Sequence, residues 1–481
     1  MLFDKDSTNV QSPTTGGDSP SSSDFVKNSD TKSNVRSSGR RVIPHEHSNR
    51  TLVLCFDGTG DQYDVDNSNI VQFFSMLKKG HKKEQMVYYQ AGIGTYTIPE
   101  IATPLMAKLS KTIDMMIGIH LDAHVMGGYE FLMENYEEGD KICIFGFSRG
   151  AYTARALAGM LHKVGLLPMR NHQQVPFAYH MYCKDDTKGW ELSDGFKSTF
   201  SIDVQVEFLG VWDTVSAVGV LPKNLPFTRC VRNIRHFRQA LSLDEHRVRF
   251  KPVPWTQLED KVVTKGTDCN PPETEGMTVV DEVWFAGCHT DVGGGSVPNG
   301  TRHSLARIPL RWMIRQCFMA NTGILFYHDM FERIGMDPDS LHPHIKQRPP
   351  PLFQDPSLPR ERPPNDPLCD PKENAAFVSE EEEDLNDALR PVYDQLSLSK
   401  GWWILETTPQ KQYSQEGKRG SWIGNWRFYR INLGKGRHVP RQNARGIKVH
   451  RTVKIRMEAD GFIPGKYWPK AKLKVEPEWV D

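Results

Sequence analysis

A serine, an aspartate and a histidine are the residues of this sequence most suited to nucleophilic catalysis. Ser148 lies at the centre of residues 146–150 (GFSRG), which match the pattern G-x-S-x-G. A serine hydroxyl becomes an effective nucleophile when a histidine accepts its proton and an acid orients that histidine. In hydrolases with this pattern the chain order is serine, acid, histidine, and Asp213 and His289 follow Ser148 in that order. These residues predict transfer of an acyl group from an ester to serine and then to water.

The segment around Ser148 has the local sequence of a strand, a sharp turn and a helix. Residues 142–145 (ICIF) form a short apolar run, typical of a parallel strand covered on both faces. Residues 151–157 (AYTARAL) favour a helix. In a nucleophile elbow the glycines flank the serine because strand and helix approach too closely for side chains. A serine in a glycine-rich surface loop is the alternative, and the strand and helix signals favour the elbow.

Asp213 and His289 each follow a predicted strand. Asp213 comes directly after residues 204–212 (VQVEFLGVW), and His289 comes just after residues 279–287 (VVDEVWFAG). In α/β folds the loops at the carboxyl ends of strands carry the functional side chains, which favours these two residues over the other acids and histidines. Asp213 could instead cap the following turn, and His289 could have a structural role.

Another acid and another base remain open as alternatives. Asp291 is the rival acid, although a residue so close in sequence to His289 is better suited to organising the loop. His450 is the rival base, because it lies in a strand-like stretch, residues 447–457, with alternating apolar residues.

An ester hydrolase also needs backbone donors for the oxyanion of its tetrahedral intermediate. The amide of Arg149 would lie at a helix N-terminus, where negative charge is stabilised. Gly58 or Thr59 would give the second donor, since they follow the buried-strand pattern of residues 51–56 (TLVLCF). Asp57 would hydrogen-bond the loop amides, or alternatively bind a calcium ion. The sequence has no metal motif such as H-E-x-x-H, and we expect neither a required metal nor a cofactor.

The order of predicted elements indicates an α/β fold with a doubly wound, mostly parallel sheet, helices on both faces, and insertions. The elements that lead to this prediction are strands at 51–56, 86–91, 142–145, 204–212 and 279–287, and helices at 67–77 with an Asn or Ser cap, 120–136, and 304–319 with a serine cap.

Composition divides the chain into four segments. We expect a disordered, Ser-rich tail, a catalytic domain, a Pro-rich and acidic linker or insertion of irregular structure, and a C-terminal region that packs on the catalytic domain. The boundaries are 1–48, 49–342, 343–392 and 393–481.

Charge and composition limit the location and partners of the protein. The formal net charge of +1 argues against nucleic-acid binding. The eight cysteines contain no C-x-x-C pair and fit reduced thiols in an intracellular protein. With neither a signal peptide nor a spanning segment in this sequence, we expect a cytoplasmic location. Residues 113–121 (IDMMIGIHL) form a buried helix or a lid that makes peripheral contact with membranes, and the Pro-rich segment could bind a protein partner.

Five sequence blocks occur in a characteristic order, namely CFDGTG with the following NSNI, GFSRGAYTAR, GVWDTVSAVG, WFAGCHTDVGGG and SLARIPLRWM. In this order they resemble an α/β-hydrolase family found in fungi and bacteria, whose bacterial members include type VI secretion phospholipase effectors. The resemblance covers about residues 51–319, and residues 401–406 (GWWILE) and 449–457 (VHRTVKIRM) resemble later blocks of the family. The Ser-rich tail and the Pro-rich segment lie outside it and look like fungal additions.

This resemblance implies an α/β-hydrolase fold and a Ser–Asp–His esterase mechanism. It supports Ser148 as the nucleophile and is consistent with Asp213 as the acid and His289 as the base. We therefore expect a serine hydrolase that cleaves carboxylic esters, with phospholipids or other lipids as candidate substrates. The alternatives are a soluble esterase or thioesterase without lipid preference, and an inactive hydrolase fold that binds a partner.

Overall fold

The structure, a computed structural model, describes ten ranges of the chain. They are residues 40–44, 49–93, 121–215, 225–255, 278–354, 377–407, 410–411, 429–440, 442–459 and 466–481.

Strands and helices alternate along most of the described chain. The strands are β1 (Val42–Ile43), β2 (Thr51–Phe56), β3 (Gln85–Gln90), β4 (Lys141–Phe147), β5 (Val206–Trp212), β6 (Ile234–Ser242), β7 (Val279–Phe285), β8 (Phe326–Tyr327), β9 (Gln410–Lys411), β10 (Tyr429–Arg430), β11 (Lys448–His450) and β12 (Glu478–Val480). The α-helices are α1 (Asn69–Met76), α2 (Leu121–Asn135), α3 (Ser148–Val164), α4 (Val175–Cys183), α5 (Thr187–Phe200), α6 (His289–Gly293), α7 (Arg307–Met319), α8 (Glu380–Ala388), α9 (Gln395–Leu398), α10 (Trp402–Glu406), α11 (Gln442–Arg445) and α12 (Arg451–Glu458). Short 3-10 helices lie at His172–Gln174, His328–Met330, Glu332–Ile334 and Pro338–Ser340.

An eight-stranded sheet forms the centre of the fold. Its strand order is β12-β11-β7-β6-β5-β4-β2-β3, and every neighbouring pair is parallel. The chain passes from β2 outward to β3 and then returns to place β4 on the other side of β2. The carboxyl ends of β2 and β4 therefore meet where the strand order reverses, which is where open α/β sheets bind ligands.

Both faces of this sheet are covered, as the apolar runs predict. Leu52 and Leu54 of β2 belong to a hydrophobic core that includes residues of α2 and α3. Val53 and Cys55, which point to the other face, belong to a second core with residues of α1 and α7. The fold is a doubly wound α/β-hydrolase fold, and the predicted class is confirmed.

Strand β6 is not predicted from the sequence, although it lies between β5 and β7 in the sheet. Its sequence, IRHFRQALS, contains polar side chains that periodicity does not associate with a core. Those side chains are buried with partners. Arg238 donates to Gln316, and Gln239 contacts Arg155 and Thr214.

Two helix starts differ in how well the sequence predicts them. Ser68 caps α1 as predicted, because its Oγ accepts a hydrogen bond from the amide of Val71. The serine cap predicted for the later helix is wrong, because α7 begins at Arg307 and Ala306 occupies its N-cap. Pro309 lies in the first turn of α7, where a missing amide hydrogen costs no helical hydrogen bond.

Order begins earlier than the boundary predicted for the N-terminal tail. Residues 42–43 form β1, which pairs antiparallel with β8. Arg40 also forms an ion pair with Asp329. The prediction of a tail to residue 48 is therefore wrong for this stretch, while residues 1–39 and 45–48 lie outside the described part.

The acidic run at residues 380–384 is a helix, not irregular chain as predicted. Ser379 caps α8 by accepting a hydrogen bond from the amide of Glu382. The acidic face of α8 is buried against arginines of α7 and other elements, so its charges are compensated. The pairs include Arg307–Glu383, Arg311–Asp384, Arg315–Glu380 and Arg348–Asp384. Residues 355–376 of the predicted linker lie outside the described part.

The C-terminal region extends the central sheet. Strand β11 pairs with β7, and β12 pairs with β11. The stretch predicted as strand-like at 447–457 is a strand only over Lys448–His450, and α12 begins at Arg451.

Two further expectations concern thiols and membranes. Cys55, Cys143, Cys288 and Cys317 are buried free thiols. Among the described residues, the helices are too short or too polar to cross a membrane. Residues 113–120 of the predicted helix or lid lie outside the described part, and Leu121 begins α2.

Arg311→Met should destabilise the protein strongly. Arg311 is buried and pairs with Asp384 and Asp387 at 2.7 Å each, so its loss removes one cation from each of two buried carboxylates and leaves their charge under-compensated. We expect the free energy of unfolding, measured by urea titration, to fall by about 3–5 kcal/mol. Lys454→Met is the control, because the Lys454–Glu458 pair is exposed and worth less than about 1 kcal/mol. Equal losses in the two variants would contradict the compensating role of the buried pairs.

Candidate active site

The turn between β4 and α3 has the geometry of a nucleophile elbow. Ser148 is the first residue of α3 and has φ 58°, a left-handed conformation that is unfavourable for residues other than glycine. A Cβ atom on Gly150 would lie 2.3 Å from the carbonyl oxygen of Asp57, and one on Gly146 would lie 2.5 Å from the carbonyl oxygen of Gly150. Glycine is therefore required on both sides of the serine by close backbone contact, as predicted.

The structure brings Ser148, His289 and Asp213 into one hydrogen-bonded chain. The Ser148 hydroxyl lies 2.8 Å from Nε2 of His289, and Nδ1 of His289 lies 2.5 Å from Oδ2 of Asp213. Asp213 directly follows β5, and His289 begins α6 after β7, so both side chains extend from the same edge of the sheet as the elbow. All three residues are buried, with exposed fractions of 6% for Ser148, 0% for Asp213 and 4% for His289.

The ionisation of this chain suits proton transfer from serine. Burial alone would raise the pKa of Asp213, but the charge of Arg437 and the hydrogen bond from His289 outweigh it and hold that pKa well below its usual range. Burial lowers the pKa of His289, and its hydrogen bond with Asp213 offsets this in part. Asp213 is therefore an anion and His289 a neutral base at neutral pH, with Nε2 available to accept the Ser148 proton.

Aromatic rings fix the orientation of the His289 imidazole. The ring of Phe147 lies 4.7 Å from it between centroids, and the ring of Phe250 meets it edge-on at 4.8 Å. Arg247 lies over the ring of Phe250 and forms a buried ion pair with Glu245. These contacts restrict rotation of the imidazole away from Ser148.

The rival acid and the rival base lie elsewhere. Oδ2 of Asp291 accepts hydrogen bonds from the amides of Cys288 and Tyr393, and burial raises the pKa of Asp291 to about 7. Nδ1 of His450 contacts Thr452 Oγ1 at 2.8 Å, and burial lowers the pKa of His450 to about 3. Asp291 thus organises the loop before α6, and His450 caps α12.

The loop after β2 lies beside the elbow and contains the predicted oxyanion donors. The Gly58 amide donates to Oδ1 of Asp57 at 2.8 Å, so it is already engaged. Asp57 also accepts hydrogen bonds from Ser68 and Tyr89, which makes it the organiser of this loop. Thr59 is the remaining candidate, and its buried hydroxyl has no hydrogen-bond partner among the described residues.

Arg149, the residue after Ser148, has a backbone amide and a side chain that both lack a described hydrogen-bond acceptor. Its amide lies in the first turn of α3, where backbone N–H groups have no helical acceptor. Its guanidinium is buried, and Nη1 has no hydrogen-bond partner within the described ranges. Burial lowers the pKa of Arg149 to about 10, so the side chain still carries a positive charge at neutral pH. The sequence predicts a role as oxyanion donor for the amide of Arg149 and none for its side chain.

Comparison with known proteins identifies the family. Residues 50–316 match the family model described as "T6SS, Phospholipase effector Tle1-like, catalytic domain". The chain belongs to this Tle1-like family. The resemblance found in the sequence is thereby confirmed, and the description of the family is that of phospholipase effectors.

The chain is similar to a yeast protein and to two solved structures. An uncharacterized protein of Saccharomyces cerevisiae is 27% identical over 89% of this chain and 82% of its own length. Among solved structures, an uncharacterized protein from Pseudomonas aeruginosa is 17% identical, with TM-score 0.33, over 60% of this chain and 48% of that one. The Tle1 effector bound to the VgrG spike of the type 6 secretion system is 17% identical, with TM-score 0.28, over 53% and 57%. This chain thus covers about half the length of the two solved chains.

A cluster of potential metal ligands lies on α8 and on the segment that precedes α7. Atoms of His303, Glu383 and Asp387 lie within 4.8 Å of one another. Arg307 pairs with both carboxylates, and Arg311 pairs with Asp387. The carboxylates of this cluster are already paired with guanidinium groups, so the cluster is an ion-pair network and not a metal site.

Gly150→Ala should abolish formation of the elbow. The added methyl group would meet two backbone carbonyl oxygens at 2.3 Å, and neither can move without displacing β2. We expect loss of activity together with a large fall in the free energy of unfolding, measured by chemical denaturation. The control is Gly195→Ala in α5, which has open space around it and should gain about 0.5–1 kcal/mol. An active, stable Gly150→Ala protein would refute the close approach.

Proposed function

We propose that this chain is a serine hydrolase that cleaves carboxylic esters of lipids, with phospholipids among its substrates. The observation that carries the proposal is the hydrogen-bonded series from Ser148 through His289 to Asp213, at 2.8 and 2.5 Å. Nucleophile, acid and base occur along the chain in the order expected for this fold.

The first half of the reaction forms an acyl-enzyme. His289 Nε2 accepts the hydroxyl proton of Ser148 as Oγ attacks the ester carbonyl carbon. Asp213 stabilises the imidazolium that forms. The negative charge on the carbonyl oxygen is held by the Arg149 amide and by the amide or hydroxyl of Thr59. The bond to the alcohol then breaks, and the imidazolium gives its proton to the departing oxygen.

The second half returns the enzyme to its starting state. His289 removes a proton from water, and the resulting hydroxide attacks the acyl carbon on Ser148. The same donors hold the second oxyanion. The bond to Ser148 breaks, the serine oxygen regains a proton from the imidazolium, and a carboxylic acid leaves.

Lipid esters are proposed as substrates on two grounds. The family description names phospholipase effectors. In addition, the buried guanidinium of Arg149, next to the nucleophile and with Nη1 unpartnered among the described residues, suits an ester that carries a phosphate.

A fluorescent fluorophosphonate should label Ser148 covalently. Ser148→Ala removes the nucleophile and His289→Ala the base, so neither variant should be labelled. Asp213→Asn should react about 10⁴-fold more slowly, because its amide favours the wrong imidazole tautomer. Asp291→Asn is the matched control, and it should be labelled like the wild type because Asp291 contacts backbone amides and not His289. Labelling that survives in Ser148→Ala would contradict the proposed nucleophile.

Preference for lipid should appear as a response to aggregated substrate. We expect hydrolysis of a short-chain phospholipid to rise sharply above its critical micelle concentration, because a lipid hydrolase acts on an interface. Ser148→Ala at the same concentrations is the control for background hydrolysis. A smooth saturating curve through that concentration would leave ester hydrolysis intact and contradict the lipid preference.

A further inference from the structure

Arg437 makes an unusually complete set of hydrogen bonds at the base of the candidate active site. Its Nη1 donates to Asp213 Oδ1 at 2.5 Å and to the Ser242 carbonyl at 3.1 Å. Its Nη2 donates to Asp213 Oδ2 at 2.8 Å and to the Phe250 carbonyl at 2.6 Å, and Nε also donates to Phe250 at 3.0 Å. All five N–H donors of this buried guanidinium are therefore used.

Each oxygen of the Asp213 carboxylate in turn accepts two hydrogen bonds. Oδ1 accepts from Arg437 and from the amide of Ser242 at 3.0 Å, while Oδ2 accepts from Arg437 and from His289. A planar guanidinium that binds both carboxylate oxygens fixes the plane of the carboxylate as well as its charge. The direction in which Oδ2 faces His289 thus depends on Arg437.

The backbone conformation of the segment around Arg437 is closely defined. Gly434 has φ 66°, and a Cβ atom on Gly436 would lie 2.1 Å from the Lys470 carbonyl oxygen. Val439 then anchors the segment in a further hydrophobic core, which includes Trp284 of β7 and Val449 of β11. Arg437 follows the matched catalytic domain, residues 50–316, by more than a hundred residues of sequence.

We propose that Arg437 is a positioning residue of the hydrolase, which binds Asp213 and thereby sets the pH range over which His289 acts as a base. This inference rests on the proposed Ser148–His289–Asp213 mechanism. It also extends the catalytic unit beyond the family's catalytic domain, because the guanidinium that binds Asp213 comes from the C-terminal segment.

The physical reason is competition for one negative charge. Asp213 stabilises an imidazolium less when its charge is already neutralised by a guanidinium, so Arg437 favours neutral His289. The other charged groups that face His289 are Glu245 and Arg247, which form an ion pair with each other. Ser148 faces it from α3, and Asp291 of α6 directs its carboxylate to backbone amides. Arg437 is thus the cation that binds Asp213, the hydrogen-bond partner of His289, whereas Arg247 and Glu245 compensate each other.

The test measures the rate of fluorophosphonate labelling against pH. In the wild type the rate should rise through a midpoint below the ordinary histidine pKa of about 6.5, because burial lowers the pKa of His289. Arg437→Gln removes the charge but keeps hydrogen-bond donors, and its midpoint should move upward by about one to two pH units. Arg437→Lys keeps the charge, and its midpoint should stay within about half a unit of the wild type.

Val439→Ala is the control for a purely structural effect. It loosens the same segment without changing charge, so it should lower the melting temperature and leave the midpoint unchanged. NMR titration of the His289 imidazole in the same variants gives a readout that does not depend on turnover.

The outcomes separate this inference from the proposed function. An upward shift in Arg437→Gln alone supports the positioning role. Slower labelling with an unchanged midpoint in that variant would make Arg437 merely structural and overturn the inference. If Arg437→Gln does not fold, a shift of a full unit in Arg437→Lys overturns it as well, since the charge is retained there. A wild type that is not labelled at Ser148 would overturn the proposed function, and the inference with it.

Discussion

The close approach of β2, β4 and α3 is the constraint on which the rest of this structure depends. Gly150 lets the start of α3 lie against the carbonyl groups at the end of β2, and Gly146 lets the strand turn sharply into the helix. This geometry forces Ser148 into a left-handed conformation and holds its hydroxyl at the edge of the sheet. The same contact brings the loop of Asp57 to Thr59 beside the serine. The cores on both faces of the sheet supply the stability that maintains this strained turn.

Burial of charge is the second constraint, and the chain satisfies it with arginines. The proposed acid Asp213 has no exposed surface, and Arg437 compensates its charge from the C-terminal region. Arginines of α7 compensate the acidic helix α8 in the same way. Since an unpaired buried carboxylate is costly, these distant segments are tied to the sheet by electrostatics as well as by apolar contact. The C-terminal region is therefore part of the structure that supports the site.

Much of the fold and of the candidate site could be predicted from local sequence. Strand β2 has the bounds that its apolar run indicates, and the elbow, Asp213 and His289 lie where strands give way to loops. Elements and contacts that depend on partners far away in the sequence could not be predicted. Strand β6 was missed because its buried polar side chains are paired with residues of other elements. Arg437 was missed because its contact with Asp213 spans 224 residues. Local periodicity contains no information on such pairings.

The central claim is that Ser148 carries the acyl group during turnover, and peptide mapping by mass spectrometry tests it most directly. The enzyme would be mixed with a phospholipid, quenched in acid within the first turnovers, and digested. The account predicts a fatty-acyl adduct on the peptide that contains Ser148, and no adduct on that peptide from Ser148→Ala. Product formation without an acyl adduct, or with the adduct on another residue, would contradict the account.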